Sequence, residues 1–310
     1  MAKENKYGLS KVQLYGAILG LVLVLGTVVG VLVFRQSQIP KIVRTPGNEI
    51  LVTPQWVQEN LEKVTILDAT RSADLFAAGH IPGAALISRQ SILGTVNGVA
   101  GMLPDAQLVA QDLADAGVFL DKPVVVYDSG NGLWASRLFW TLEYLGHTRV
   151  HLLDGGFAAW VASGQDISTT PQVPQQGNFV ARLQPELLAD SVYIQEQLAE
   201  GTIGILDARS PEEFTGQNIQ ADRGGHIPGS LNIEWTQAVG EDASFLPFSA
   251  LAALYSQSIQ DDVELITLCQ TGIRGAHTYV ALRILGHQRV RLYDGSWAEW
   301  GNNPDLPINL

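Results

Sequence analysis

At 310 residues the chain exceeds one average domain and has room for two. An apolar fraction of 46% is ample for packed cores, while a formal net charge of −12 argues against a nucleic-acid partner, which needs a basic stripe that the sequence does not show. The single cysteine, Cys269, rules out an intrachain disulfide and leaves the redox compartment open.

The first thirteen residues read as a polar tail carrying Lys3, Lys6 and Lys11. Residues 14–34 then run for 21 positions without a charge, enough for a bilayer core that takes about 20 residues to cross. A cleaved signal peptide would also place lysines before an apolar run. Its apolar region is usually only about 7 to 15 residues long, and no small-x-small cleavage pattern follows Phe34. The expectation is a single-pass anchor in the cell membrane. Which face carries the rest of the chain stays open, because Lys3, Lys6 and Lys11 on one side are matched by Arg35, Lys41 and Arg44 on the other. Gly16 with Gly20, and Gly26 with Gly30, give the spacing that lets two spans pack, a weak signal in itself. Residues 35–49, with Pro40, Pro46 and Gly47, have the composition of a tether.

From residue 50 the chain repeats itself. Ile66-Leu67-Asp68-Ala69 returns as Ile205-Leu206-Asp207-Ala208, and Gly79-His80-Ile81-Pro82-Gly83 as Gly225-His226-Ile227-Pro228-Gly229. Leu145-Gly146-His147 returns as Leu285-Gly286-His287, and Asp154-Gly155-Gly156-Phe157-Ala158-Ala159-Trp160 as Asp294-Gly295-Ser296-Trp297-Ala298-Glu299-Trp300. Two homologous domains are expected, over 50–165 and 181–306, joined by a linker at 166–180 within a Gly-, Ser-, Pro- and Gln-rich stretch. In each, short Val/Ile/Leu-rich strands such as 123–127 alternate with helical spacing such as 134–145. The expected fold class is therefore α/β, with mainly parallel sheets covered on both faces and ligands bound beyond the carboxyl ends of the strands.

The chemistry concentrates late in the chain. Val263 to Leu268 reads as a buried strand and Ala276 to Leu285 as a helix, so Cys269-Gln270-Thr271-Gly272-Ile273-Arg274 forms the turn between them. Backbone N–H groups converge at such a turn, the helix dipole points its positive end there, and Arg274 adds a cation. All three favour a thiolate, which is the nucleophilic form. The bland alternative is an inert buried cysteine. In the first repeat Asp128 stands where the second has Cys269, in a loop one residue longer: Asp128 to His147 is 19 steps and Cys269 to His287 is 18. Asp128 reads as an acceptor for its own loop N–H groups. No grouping of His, Cys and carboxylates at ligand spacing suggests a metal site.

Taken together, the strand, the Cys-x-x-Gly-x-Arg loop, the helix ending Leu285-Gly286-His287 and the strand ending Tyr293-Asp294-Gly295 before Trp297 and Trp300 resemble the active domain of rhodaneses. The Cys269-Gln270-Thr271 opening with Arg274 resembles bacterial thiosulfate sulfurtransferases, and the two-domain resemblance covers about residues 50–305. It implies an inactive first domain packed on an active second one, no cofactor, and transfer of the outer sulfur of thiosulfate through a Cys269 persulfide to cyanide or a thiol. The persulfide and the donor's anionic end would be held by Gln270, Thr271, Gly272, Ile273 and Arg274, with Arg223 as a further candidate at the mouth. Where some of these enzymes carry a substrate-binding arginine, this chain has Glu213, so anion binding is expected to rest on Arg274 and the loop amides. His80 and His226, present in both repeats, read as turn residues, Asp207 and Arg209 as an ion pair or turn, and Phe157, Trp160, Trp297 and Trp300 as core and domain-contact aromatics.

Three alternatives remain at this point. A 3-mercaptopyruvate sulfurtransferase would use the same cysteine, although that loop resembles Cys-Gly-x-Gly. A phosphatase would want Cys, amides and Arg in a loop one residue larger. A membrane-tethered sulfur carrier would take up a persulfide and hand it on without turnover.

Overall fold

The structure, a computed structural model, describes residues 50–310 apart from 70, 71, 171, 257 and 259–262. The expected tail, span and tether at 1–13, 14–34 and 35–49 lie outside the described residues. Among the described residues no helix is long and apolar enough to cross a membrane.

The first repeat folds as β1 (Leu51–Val52), α1 (Pro54–Asn60), β2 (Thr65–Ala69), α2 (Ala73–Ala78), β3 (Ala85–Ile87), α3 (Arg89–Ile92), a β4–β5 hairpin (Gly94–Val96, Val99–Met102), α4 (Ala106–Asp115), β6 (Val124–Tyr127), α5 (Leu133–Tyr144), β7 (Val150–Leu153) and α6 (Gly156–Ala162). The second follows with β8 (Leu188–Ala189), α7 (Ser191–Glu200), β9 (Ile203–Asp207), α8 (Pro211–Phe214), β10 (Leu231–Asn232), α9 (Phe248–Tyr255), β11 (Glu264–Leu268), α10 (Ile273–Ile284), β12 (Val290–Tyr293) and α11 (Ser296–Trp300).

Each repeat builds a five-stranded sheet, in the order β3-β2-β6-β7-β1 and β10-β9-β11-β12-β8. Every pairing within the two sheets is parallel. The order is the same in both, as the repeat demands, and the β4–β5 hairpin belongs to the first domain.

The strands carry apolar residues on both faces because both faces are covered. In β6, Val124 and Val126 enter one core while Val125 and Tyr127 enter another on the opposite side. In β11, Leu265 joins the first of these cores, and Ile266 and Leu268 a third. The core they share is continuous across the two domains: Leu138, Phe139 and Leu142 of α5 and Ala276, Tyr279 and Val280 of α10 lie in one cluster, and these two helices pack on each other. Trp160 sits in the outer core of the first domain, and Trp297 and Trp300 in that of the second. These indoles thus pack into the cores of their own domains, the core part of what the sequence suggested.

Helix starts follow ordinary capping chemistry. Ser72 Oγ accepts Leu75 N–H, Asp105 accepts Gln107 and Leu108 N–H, and Ser210 forms a capping box with Glu213. The segment between the domains runs along the first one. Ser168 exchanges two backbone hydrogen bonds with His80, and Phe179 N–H donates to Val118 O at 3.2 Å. At the end of the chain Asn309 exchanges the same pair with His226, so the second repeat continues past its expected end at 306. The His80 and His226 rings stack on Phe76 and Phe214 and donate from Nδ1 to the Phe76 and Phe214 carbonyls at 2.8 and 3.0 Å. They are turn residues, as their presence in both repeats suggested.

Candidate active site

The β11–α10 loop lies beyond the carboxyl end of a central strand, where open parallel sheets bind ligands. Gly272 caps α10 with φ of 78°, a left-handed conformation that a side chain resists. Cys269 is buried at 1% exposure. Its N–H donates to Ser296 Oγ at 3.2 Å, and that hydroxyl donates onward to Tyr293 O at 2.7 Å. The Cys269 and Gln270 carbonyls accept Trp297 and Ala298 N–H at 3.0 and 2.9 Å. The loop is thereby stapled to the β12–α11 turn.

Ser296 adopts φ of 50°, and its counterpart in the first repeat is Gly156 with φ of 58°. In the sequence, the alignment of a serine with a glycine is the signal that marks this hydroxyl, and local pattern alone does not say what it binds. Asp294, which heads the same turn, was visible as a repeated residue but its role was not.

The loop residues expected to bind the substrate have distinct surroundings. Gln270 Nε2 donates to Gln220 O at 2.9 Å. Thr271 abuts Gly101 of the first domain, where a β-carbon would stand 2.6 Å from Thr271 Cβ. Ile273 opens α10 and is half-buried. Arg274 Nη1 and Nη2 donate to Glu213 Oε2 and Oε1 at 2.6 and 2.8 Å, a two-pronged pair.

Arg274, expected to meet the donor's anionic end, is thus already paired with a carboxylate of its own domain. The capping box draws the Glu213 carboxylate back to Ser210 N–H at 3.2 Å, which places it against the guanidinium. Burial pushes the Glu213 carboxyl up, but Arg274 outweighs burial and holds it below the usual carboxylate range. Burial likewise opposes the Arg274 charge, and Glu213 together with the neighbouring Cys269 sulfur more than offsets it.

Arg223 does not serve the mouth of the site. Its guanidinium donates to Trp300 O at 2.8 Å, Gly301 O at 3.2 Å, Leu306 O at 2.9 Å and Asn303 O. Carbonyls at the end of α11 and beyond it engage all three nitrogens of the guanidinium, a structural use that sequence spacing does not reveal. Asp207 and Arg209 form the expected ion pair at 2.6 Å, with Arg209 lying 4.3 Å from the centre of the Trp297 ring.

The first domain shows what such a loop holds. Asp128 Oδ1 accepts Gly130 N–H at 2.9 Å, and Oδ2 accepts Trp134 and Ala135 N–H at 2.9 and 3.1 Å. Trp134 and Ala135 stand where the second domain has Arg274 and Gly275, each pair following its N-cap glycine, Gly132 or Gly272. Asp128 therefore fills its own nest with a resident carboxylate, as its sequence position implied. Burial pushes that carboxyl up to about 6, against the pull of the N–H groups. The second loop, one residue shorter, carries a sulfur at the corresponding position, with Arg274 and the start of α10 beside it.

The rhodanese-like domain family matches the chain twice, over residues 53–163 and 191–303. A thiosulfate sulfurtransferase of Azotobacter vinelandii is 36% identical over 265 residues, spanning 84% of this chain and 97% of the relative. The sulfur carrier protein TtuD of Thermus thermophilus is 33% identical over 280 residues, spanning 84% and 96%. Among solved structures, the 3-mercaptopyruvate sulfurtransferase SseA of Escherichia coli superposes with a TM-score of 0.74 at 30% identity, covering 80% of this chain and 99% of SseA. EanB, at 21% identity and a TM-score of 0.76, shares the fold. With both repeats matched and near-full-length relatives of this kind, the chain belongs to the rhodanese family of sulfurtransferases.

Proposed function

We propose that the protein moves the outer sulfur of thiosulfate to cyanide or a thiol through a persulfide on Cys269. The observation that carries this reading is the pair of equivalent loops. One holds the Asp128 carboxylate on backbone N–H groups, and the other presents Cys269 at the corresponding position before the N-cap glycine, beside Arg274.

In the first step the Cys269 thiolate attacks the outer sulfur. The sulfur–sulfur bond of thiosulfate breaks, sulfite leaves with the electron pair, and Cys269 retains a persulfide anion on the loop N–H groups. In the second step cyanide attacks the terminal sulfur, thiocyanate leaves, and the thiolate returns. A thiolate acceptor leaves instead as its own persulfide. Neither step requires a cofactor.

The donor preference follows from Glu213. Thiosulfate keeps its charge next to the transferred sulfur, within reach of the loop amides and Arg274. The carboxylate of 3-mercaptopyruvate lies further out and calls for a second cation, whereas Glu213 supplies an anion paired to Arg274. The expected result is a higher kcat/KM for thiosulfate than for 3-mercaptopyruvate, and no turnover of aryl phosphates. Thiosulfate treatment should add one sulfur to the intact mass of the wild type and none to Cys269→Ser. Sulfur on Cys269→Ser would sink the assignment, and a preference for 3-mercaptopyruvate would overturn the donor. A wild-type protein that takes up sulfur but does not turn over with cyanide would be a carrier, the role in the name of the Thermus relative.

The same proposal places this chemistry beside a membrane, supported by the uncharged run at residues 14–34. The full chain should remain with membranes after alkaline carbonate washing. A mature N-terminus just beyond Phe34 in cells would remove the anchor.

A further inference from the structure

The domain that lacks the cysteine reaches into the loop that carries it. Asp294, at the head of the turn stapled to Cys269, accepts Arg137 Nη1 from α5 at 2.5 Å and Leu103 N–H at 2.7 Å, both from the first domain. Arg137 is wholly buried. A β-carbon on Gly272 would stand 2.9 Å from Arg137 Nη1 and 2.8 Å from Asp294 Oδ1. The Arg137–Asp294 pair thus presses directly on the glycine that starts α10, three residues after Cys269.

The reverse contact is chemically different. Arg137 and His277 occupy equivalent places on α5 and α10, five residues after Gly132 and Gly272 respectively. His277 reaches the first-domain loop and donates from Nε2 to Asn131 O at 3.1 Å, stacked on Phe245. Burial holds its pKa down at about 3, so the ring is neutral. The loop with the resident carboxylate receives a neutral imidazole, and the loop with the cysteine receives a guanidinium. A contact needed only to join the domains would be served by the neutral solution in both places, because burying an ion pair incurs a large desolvation cost.

We infer that Arg137 is a positioning residue for Cys269, delivered by the first domain. Its hold on Asp294 fixes the turn whose Ser296 hydroxyl accepts the Cys269 N–H and whose Trp297 N–H donates to the Cys269 carbonyl, and it backs Gly272 at the start of the helix. The inference rests on Cys269 as the sulfur-accepting thiol. It gives the silent domain a part in sulfur transfer without any chemistry of its own.

The test compares Arg137→Met and Arg137→Lys with Arg283→Met in the full chain. Arg283 makes a different cross-domain ion pair, with Glu143 at 3.1 Å, at the C-terminal ends of the same two helices. The readouts are kcat and KM for thiosulfate with cyanide, the rate of Cys269 alkylation by iodoacetamide at one pH, and the melting temperature. Arg137→Met should lower kcat by roughly 10- to 100-fold, the order that a small misplacement of a reacting group produces. Its KM should change far less, and its alkylation rate should depart from wild type. Arg137→Lys should fall between, and Arg283→Met should lower only the melting temperature. Wild-type kcat and alkylation in folded Arg137→Met would overturn the inference, as would equal losses in the Arg137 and Arg283 variants. If Arg137→Met does not fold, Arg137→Lys decides, since wild-type kcat there would equally overturn it. Failure of the underlying reading shows separately, as a wild-type protein that takes no sulfur on Cys269.

Discussion

At the scale of single residues, the protein places one framework around two different groups, and the difference between them is electrostatic. Asp128 brings a full carboxylate into a site that is 1% exposed, and its loop N–H groups do not fully offset the loss of water, so its carboxyl is pushed from 3.8 up to about 6. A folded-state pKa above the unfolded one means that the folded protein holds this proton more tightly. The contribution to stability is complete below the unfolded value and is lost as pH rises through the folded one. Two pK units correspond to about 3 kcal/mol, most of it lost between pH 4 and 7. Urea denaturation of wild type and Asp128→Ala across that range should show wild type losing ground to the variant by up to about this amount. A constant difference would mean that the N–H groups balance burial, and one that grows in favour of wild type that they dominate. Sulfur transfer should survive in Asp128→Ala, because the group that chemistry requires lies in the other loop.

At the scale of the element, the strand–loop–helix unit was largely legible and its tertiary partners were not. The strand-like runs over 123–127 and 263–268 and the helical spacing after each loop act along a few neighbouring residues, and each was read from local pattern. The extra residue in the first loop was also visible, and it lies before Gly132. What local pattern did not show was the set of partners that long side chains meet. Arg223 and Arg274 are both arginines near a candidate site, but carbonyls at the end of α11 and beyond it claim one and Glu213 claims most of the other. Arg137 carried no local signal at all. Its partner Asp294 is 157 residues away, and sequence spacing along a helix says which residues share a face without saying what that face meets. Ser296 was the recoverable omission, since its alignment with Gly156 marked a position where a side chain needs a reason.

At the scale of the whole molecule, the two domains share one apolar core, and this decides how they unfold. Two-domain chains of this size commonly unfold in steps. Here α5 and α10 pack face to face in a cluster that also takes Val124 and Val126 from one sheet and Leu265 and Leu292 from the other. Exposing either half of it would strip apolar surface from the second, at about 25 cal/mol for every Å² returned to water. The polar contacts across the same interface are a weaker tie. Glu143 accepts Tyr279 Oη at 2.7 Å and Arg283 Nη2 at 3.1 Å, but the ion pair is partly open to solvent at 17% and 16%, and such pairs contribute about 0 to 1 kcal/mol. The expected behaviour is therefore a single transition. In hydrogen exchange followed by mass spectrometry across a urea series, peptides covering β2 and β6 should lose protection at the same urea concentration as those covering β9 and β11. Glu143→Gln should lower that midpoint slightly for both sets together. If the second-domain peptides opened first in wild type, or if Glu143→Gln separated the two sets, the domains would be held by their polar contacts and the shared core would not join them into one cooperative unit.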